Sequence, residues 1–141
     1  MADTLVDALG TDQLALNLAI ATHKLALYDN TITPNFGTDQ SYSTTGEIVG
    51  TGYTAAGKAI LSGTLTVVTA GGTFATWDGA DVQWDASTLT GVRGGLIHAD
   101  ALTPKRLILG VDFVSTYQTN DGTLLVAWNS LGIGRINVIS A

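Results

Sequence analysis

The chain has 141 residues, no cysteine, 13% charged residues and a net charge of −6. One domain is the natural size, and a chain this long buries roughly 70% of its unfolded surface without staples. Missing cysteine excludes disulfides and thiolate metal sites; six scattered basic residues exclude the basic stripe that nucleic-acid phosphates require.

Charge content is about half the usual roughly 25%, which predicts a bland surface of Thr, Ser, Gly and Ala suited to burial against other protein copies. No apolar run approaches the roughly 20 residues of a membrane helix. The start, MADTLVDALG, has neither the basic region nor the apolar region of a signal peptide, so the expectation is folding in a cytoplasm.

Residues 1–21 form a predicted arm. Thr4 to Asp7 fits a small capping box, Gly10 a helix stop, and Thr11 or Asp12 a cap for DQLALNLAIA. The Ala/Leu content favours helix. Leu14, Leu16, Leu18 and Ile20 also alternate with period two, which keeps a strand open.

Residues 22–141 read as a single β-domain. THKLALYD (22–29) alternates, with Leu25 and Leu27 on one side and Lys24 and Tyr28 on the other. Residues 31–46 are a polar loop, EIVGTGY (47–53) a short strand running into a glycine bend, and 58–70 one or two strands before a Gly71-Gly72 turn. TFATWDG and DVQWDA flank a turn near Asp78-Gly79. The glycines of TLTGVRGGLIHAD (88–100) predict a bulge or a close backbone approach. KRLILGVDFV (105–114) puts Leu107, Leu109, Val111 and Phe113 on one face, TNDG (119–122) is a hairpin turn, and 123–129 and 134–140 are the last strands. The expected fold is mainly β, an antiparallel β-sandwich or barrel of jelly-roll or immunoglobulin-like kind, with a short N-terminal helical arm.

Few motifs carry chemistry. Gly52, Gly57 and Lys58 spell G-x-x-x-x-G-K, but Ala59 replaces the magnesium-binding hydroxyl and AILSGTLTVV is a poor helix; a glycine turn fits better than a phosphate loop, with Tyr53 packed over it. Asp78, Asp81 and Asp85 lack the closing glutamate of a calcium loop and serve turns and a strand end. His23 and His98 read as half-buried or surface strand residues, not zinc ligands. No catalytic residue, cofactor or metal is expected. Trp77, Trp84 and Trp128 fit core and subunit packing, with a sugar-binding face as the alternative. Arg93 lies mid-strand between small residues, placed to pair with an aspartate or a neighbouring chain. Arg93, Tyr53, Trp77 and Trp84 are therefore the candidate interface residues.

Taken in order, HKLALYDN (23–30), GEIVGTGYTAAGK (46–58), WDGADVQW (77–84), TLTGVRGGLIHAD (88–100) and ILGVDF (108–113) resemble a family of short tailed-bacteriophage virion proteins. The likeness covers about residues 22–130. It implies a non-enzymatic structural component, foremost a capsid decoration or minor capsid protein on the capsid surface. A tail- or fibre-associated or carbohydrate-binding β-module is the alternative. Implied partners are the major capsid protein or other virion proteins and copies of the same chain, with a trimer matching threefold positions of a shell; no nucleic acid and no membrane are expected. The arm would attach the domain to the shell or to a sister subunit.

Overall fold

The computed structural model describes residues 23–33, 38–68 and 73–138; the predicted N-terminal helix and the Gly71-Gly72 turn lie outside them. The described chain is mainly β, built from antiparallel sheets, with no helix. Its strands are β1 (His23–Tyr28), β2 (Lys58–Ala59), β3 (Thr64–Val68), β4 (Thr73–Asp78), β5 (Val82–Ala99), β6 (Leu107–Val126) and β7 (Gly134–Val138). One sheet runs β2-β1-β5-β6 and the other β3-β4-β7. Neither closes on itself, so the barrel alternative is corrected: β2, β6, β3 and β7 are all edges.

β1 sits inside the larger sheet and is buried on both faces. Period-two alternation sends Leu25 and Leu27 into the main core, with Trp77, Val82, Trp84, Leu89 and Ile97. Ala26 and Tyr28 go to a smaller cluster with Leu96 and Leu107. The paired glycines of β5 make this possible. A Cβ on Gly95 would stand 2.6 Å from Leu25 Cδ1, and one on Gly94 2.6 Å from the Val111 carbonyl oxygen. The expected close backbone approach is thus present on both sides of β5.

Several boundaries differ from expectation. Residues 82–86 and 88–99 belong to one 18-residue strand, and 107–126 form one strand of 20 residues. TNDG is not a hairpin. Ser87 pairs with Gly122 and Leu89 with Thr119, so Thr88 of β5 faces both Asn120 and Asp121 of β6 and the segment is a bulge. Asp121 takes the left-handed conformation (φ 46°) that a turn would have used. Side chains bridge the gap: Thr119 Oγ1 accepts from the Leu89 amide (3.0 Å), and Thr88 Oγ1 from the Asp121 amide (3.0 Å). A larger bulge follows, where Val92 pairs with Tyr117 but Gly94 with Asp112, ejecting residues 113–116 from the ladder. A third irregularity places Leu107 opposite His98 and Leu109 opposite Ile97. Leu107 therefore joins the smaller cluster while Leu109 packs on the main core, and the four residues expected on one face are divided.

EIVGTGY is not a strand either; it makes only isolated bridges, Glu47 to Tyr28 and Thr51 to Thr88. It crosses the sheet as an irregular strap and then bends through residues 50–58. That bend requires glycine. Gly57 has φ +72°, and a Cβ there would meet the Leu25 carbonyl oxygen at 1.9 Å. Gly57→Ala is expected to cost at least about 2 kcal/mol in urea unfolding. Gly134→Ala, where a Cβ would meet nothing within 4 Å, should cost less than about 1 kcal/mol.

Candidate functional site

The bend at 50–58 encloses a carboxylate. Glu47, the chain's single glutamate, is half-buried beneath it. Its Oε1 accepts hydrogen bonds from the Tyr53 hydroxyl (2.7 Å) and the Ala56 amide (2.7 Å), and its Oε2 from the Tyr42 hydroxyl (2.6 Å). Tyr53 relays the tie inward, since its hydroxyl also accepts from the Leu27 amide (2.9 Å) on β1. Ala56 extends it outward, its carbonyl lying 3.1 Å from His98 Nε2. The His98 ring in turn packs on Tyr42, with centroids 4.8 Å apart.

This geometry decides the phosphate-loop look-alike. The Ala56 amide already binds an internal anion, and Lys58 Nζ donates to the Gln83 carbonyl (2.7 Å). The anion held by this glycine turn is the protein's own carboxylate. With both oxygens occupied, the arrangement fixes a turn and presents no open acid or base. Sequence reasoning missed Glu47; a solitary glutamate with tyrosines five residues before and six after was the available signal.

Burial raises the phenols around it. Tyr42 is pushed up to about 12, first by desolvation and then by the carboxylate it donates to. Tyr53 and Tyr28 are raised further for the same leading reason. All three remain protonated donors at neutral pH.

Both histidines are fully buried, which corrects the half-buried or surface expectation. His23 packs edge-on against Trp77, with centroids 5.9 Å apart. His98 donates from Nε2 to the Ala56 carbonyl, while its Nδ1 has no hydrogen-bond partner. Desolvation holds its pKa below the usual value, against the opposing pull of that carbonyl and of Asp100. Asp100 itself is held low by Lys105 and Lys24, which overcome the raising effect of its burial; the ion pairs measure 2.5 and 2.7 Å.

The other expected sites lie apart. Asp78 accepts from the Gly79 amide, Asp81 from the Trp128 amide and Asp85 from Thr123 Oγ1 and Gln83 Nε2. They do not converge, and no group of three metal-ligating side chains occurs among the described residues. Trp84 has no exposed surface and Trp77 only 6%, so both tryptophans are core residues and offer a partner no area. Trp84 stacks on Tyr53, which is half-buried over its turn as expected. Arg93 stays at the surface and pairs with Asp112 across the β5–β6 ladder. A groove of about 440 Å³ opens beside that pair, floored by Gly94, Gly95 and Gly110 and rimmed by Asp29, Asn30 and Thr33.

The open surface lies elsewhere. β6 is an edge strand of 20 residues with no lysine, arginine or proline to protect it. Val114, at the ejected bulge, is 79% exposed and left-handed (φ 64°), its amide held by Asp112 Oδ1 at 2.8 Å. A β-branched residue is rarely found in that conformation, which costs about 1–3 kcal/mol. Tyr117 and Leu125 are also exposed, bordering a hollow of about 290 Å³ with Phe113, Leu124 and Trp128. No protein-family model, curated protein or solved structure matches the chain.

Two measurements check the internal network. Glu47→Gln is expected to lower unfolding free energy by about 2 kcal/mol, because one good acceptor becomes a donor facing a hydroxyl or amide. Tyr42→Phe and Glu47→Gln combined should cost less than the sum of the two. The unfolded His98 imidazole titrates near pH 6.5 and takes up a proton that the folded one resists. Stability should therefore fall as pH drops from about 7.5 to about 5.5, by up to about 1.4 kcal/mol per unit. Urea midpoints across that range should show a shallower slope in His98→Gln.

Proposed function

We propose that the chain is a non-enzymatic structural protein of a tailed-bacteriophage particle, a capsid decoration or minor capsid protein that binds by protein–protein contact. The observation that carries this reading is the β6 edge, which no other described strand covers. A long edge without lysine, arginine or proline guards is prone to adding strands from other chains unless a matching surface covers it. Here the edge also displays Val114, Tyr117 and Leu125, and the strained Val114 conformation costs stability at a position left largely open by the described residues. A particle component meets its partners in many copies, so modest contacts are amplified by avidity. The likeness of residues 22–130 to virion proteins supports the same reading, as does the low charge.

Within this reading the two sheets form an open β-sandwich. Its support is the shared core, where Trp77 of β4 packs in one cluster with Leu25, Trp84 and Ile97 of the larger sheet. Oligomerisation, with a trimer as the first form to look for, would proceed through the β6 edge.

A carbohydrate-binding module is the second reading, favoured by the glycine-floored groove beside Arg93. Quantitative mass spectrometry and electron microscopy of particles containing the chain separate the two. A copy number fixed by the shell's symmetry, reduced at least tenfold by Val114→Asp with Leu125→Asp, is the expected result. A chain absent from particles, with glycan binding that Arg93→Ala abolishes, would replace it.

A further inference from the structure

His98 is fully buried, and its Nδ1 has no hydrogen-bond partner among the described residues. A proton placed there would create a buried charge and an orphan donor together. The groups that face the ring do little to welcome it. Lys24 stands opposite His98 on β1, and Lys105 lies just ahead of β6. Asp100, just past the end of β5, is already held by both ammonium groups. β6 itself sets uncharged Leu107 opposite the ring. The polar loop contributes the Tyr42 phenol, and the strap contributes Glu47 at one remove, through Tyr42 and Ala56. The Ala56 carbonyl and the Tyr42 face favour a charged ring, but neither accepts from Nδ1.

The surroundings of His98 divide into a firm half and a weak half. Its backbone is paired in the ladder on both sides, with Lys24 and with Leu107. Its cover is irregular. The loop bearing Tyr42 and the strap and bend bearing Ala56 touch the sheets through isolated bridges, Ser41 to Arg106, Glu47 to Tyr28 and Thr51 to Thr88. Tyr42 and Ala56 donate to the same carboxylate, so loosening one weakens the hold on the other. Segments with few ladder bonds open at lower free energy than strands paired on both edges.

We infer that His98 is a proton-sensitive latch: a proton on its ring frees Tyr42 and the 53–57 bend from β5 as one unit, while both sheets stay paired. An uncovered imidazole takes its proton near pH 6.5, and burial makes the covered one resist. The closed cover is therefore fully favoured above that pH and loses favour below it. One proton shifts the ratio of open to closed by at most about tenfold per pH unit. This inference does not depend on the particle reading.

Amide hydrogen exchange of the full chain, corrected for the intrinsic rate at each pH, tests the latch. The amides of Tyr42, Ala56 and Gly57 hold the cover, donating to the Lys105 carbonyl, Glu47 Oε1 and the Thr54 carbonyl. Their protection should lie at least about tenfold below that of Leu96 and Ile97 in β5, because the cover opens without the sheet. It should fall by about tenfold between about pH 7 and about pH 5. His98→Gln keeps a donor for the Ala56 carbonyl but takes up no proton, and should flatten that fall. Lys105→Gln, a change at a surface side chain, removes one ammonium and frees Asp100 for the ring, so the fall should shrink to about threefold or less. Cover amides that share the protection of Leu96 and Ile97 would overturn the inference, since they would open only with the whole fold. So would cover protection that ignores pH, or a fall that persists undiminished in either variant.

Discussion

The described fold depends on one carboxylate placed where solvent would otherwise enter a turn. Glu47 receives donors from Tyr42, Tyr53 and Ala56, and through Tyr53 it is tied to the backbone of β1. A residue in the same strap, Ile48, bonds directly to the Leu27 carbonyl. The polar loop before β2, the glycine turn and the central strand are thus held by a single acceptor. Charge-assisted bonds of this kind are about twice as strong as neutral ones, and each unsatisfied donor left behind would carry its own desolvation cost. Trp84 and His98 pack against the tyrosines of this network, which links it to both core clusters.

Around that fixed point the larger sheet is shaped by irregularity. Five register shifts interrupt the β5–β6 ladder, and left-handed residues at Ala86, Gly91, Val114 and Asp121 mark where the backbone departs from it. Each bulge adds local twist and re-aims the following side chains. Leu107 and Leu109 consequently serve two different clusters, and the same mechanism pushes Val114 out to solvent.

Local chemistry was legible in the sequence; long-range pairing was not. HKLALY announced a strand by alternation, and GTGYTAAGK announced a turn by its glycines and by the missing hydroxyl after Lys58. Gly94 and Gly95 announced a close approach. TNDG misled because the residues that favour a hairpin turn also favour a bulge, and only the partner strand chooses between them. EIVGTGY has strand-like residues, but its hydrogen bonds are spent on the Leu27 and Thr51–Thr88 contacts and on the Glu47 cluster. The tryptophans were readable as core or as surface; Trp84 is fully buried and stacks on Tyr53. Arg93 pairs with an aspartate as its small neighbours allowed, from a strand nineteen positions away that spacing alone does not reveal.

The bulges also bear on how the ladder assembles. His98 and Leu107, nearest each other along the chain, sit at one end of the β5–β6 pairing, and Val82 and Val126 at the other. Zippering from the near end meets the lower loop-closure cost first. A sliding error of one residue in an unbroken ladder would travel its full length and turn every aliphatic outward. Here each irregularity confines such an error to the few rungs between itself and the next, so the long ribbon is proofread in sections as it forms.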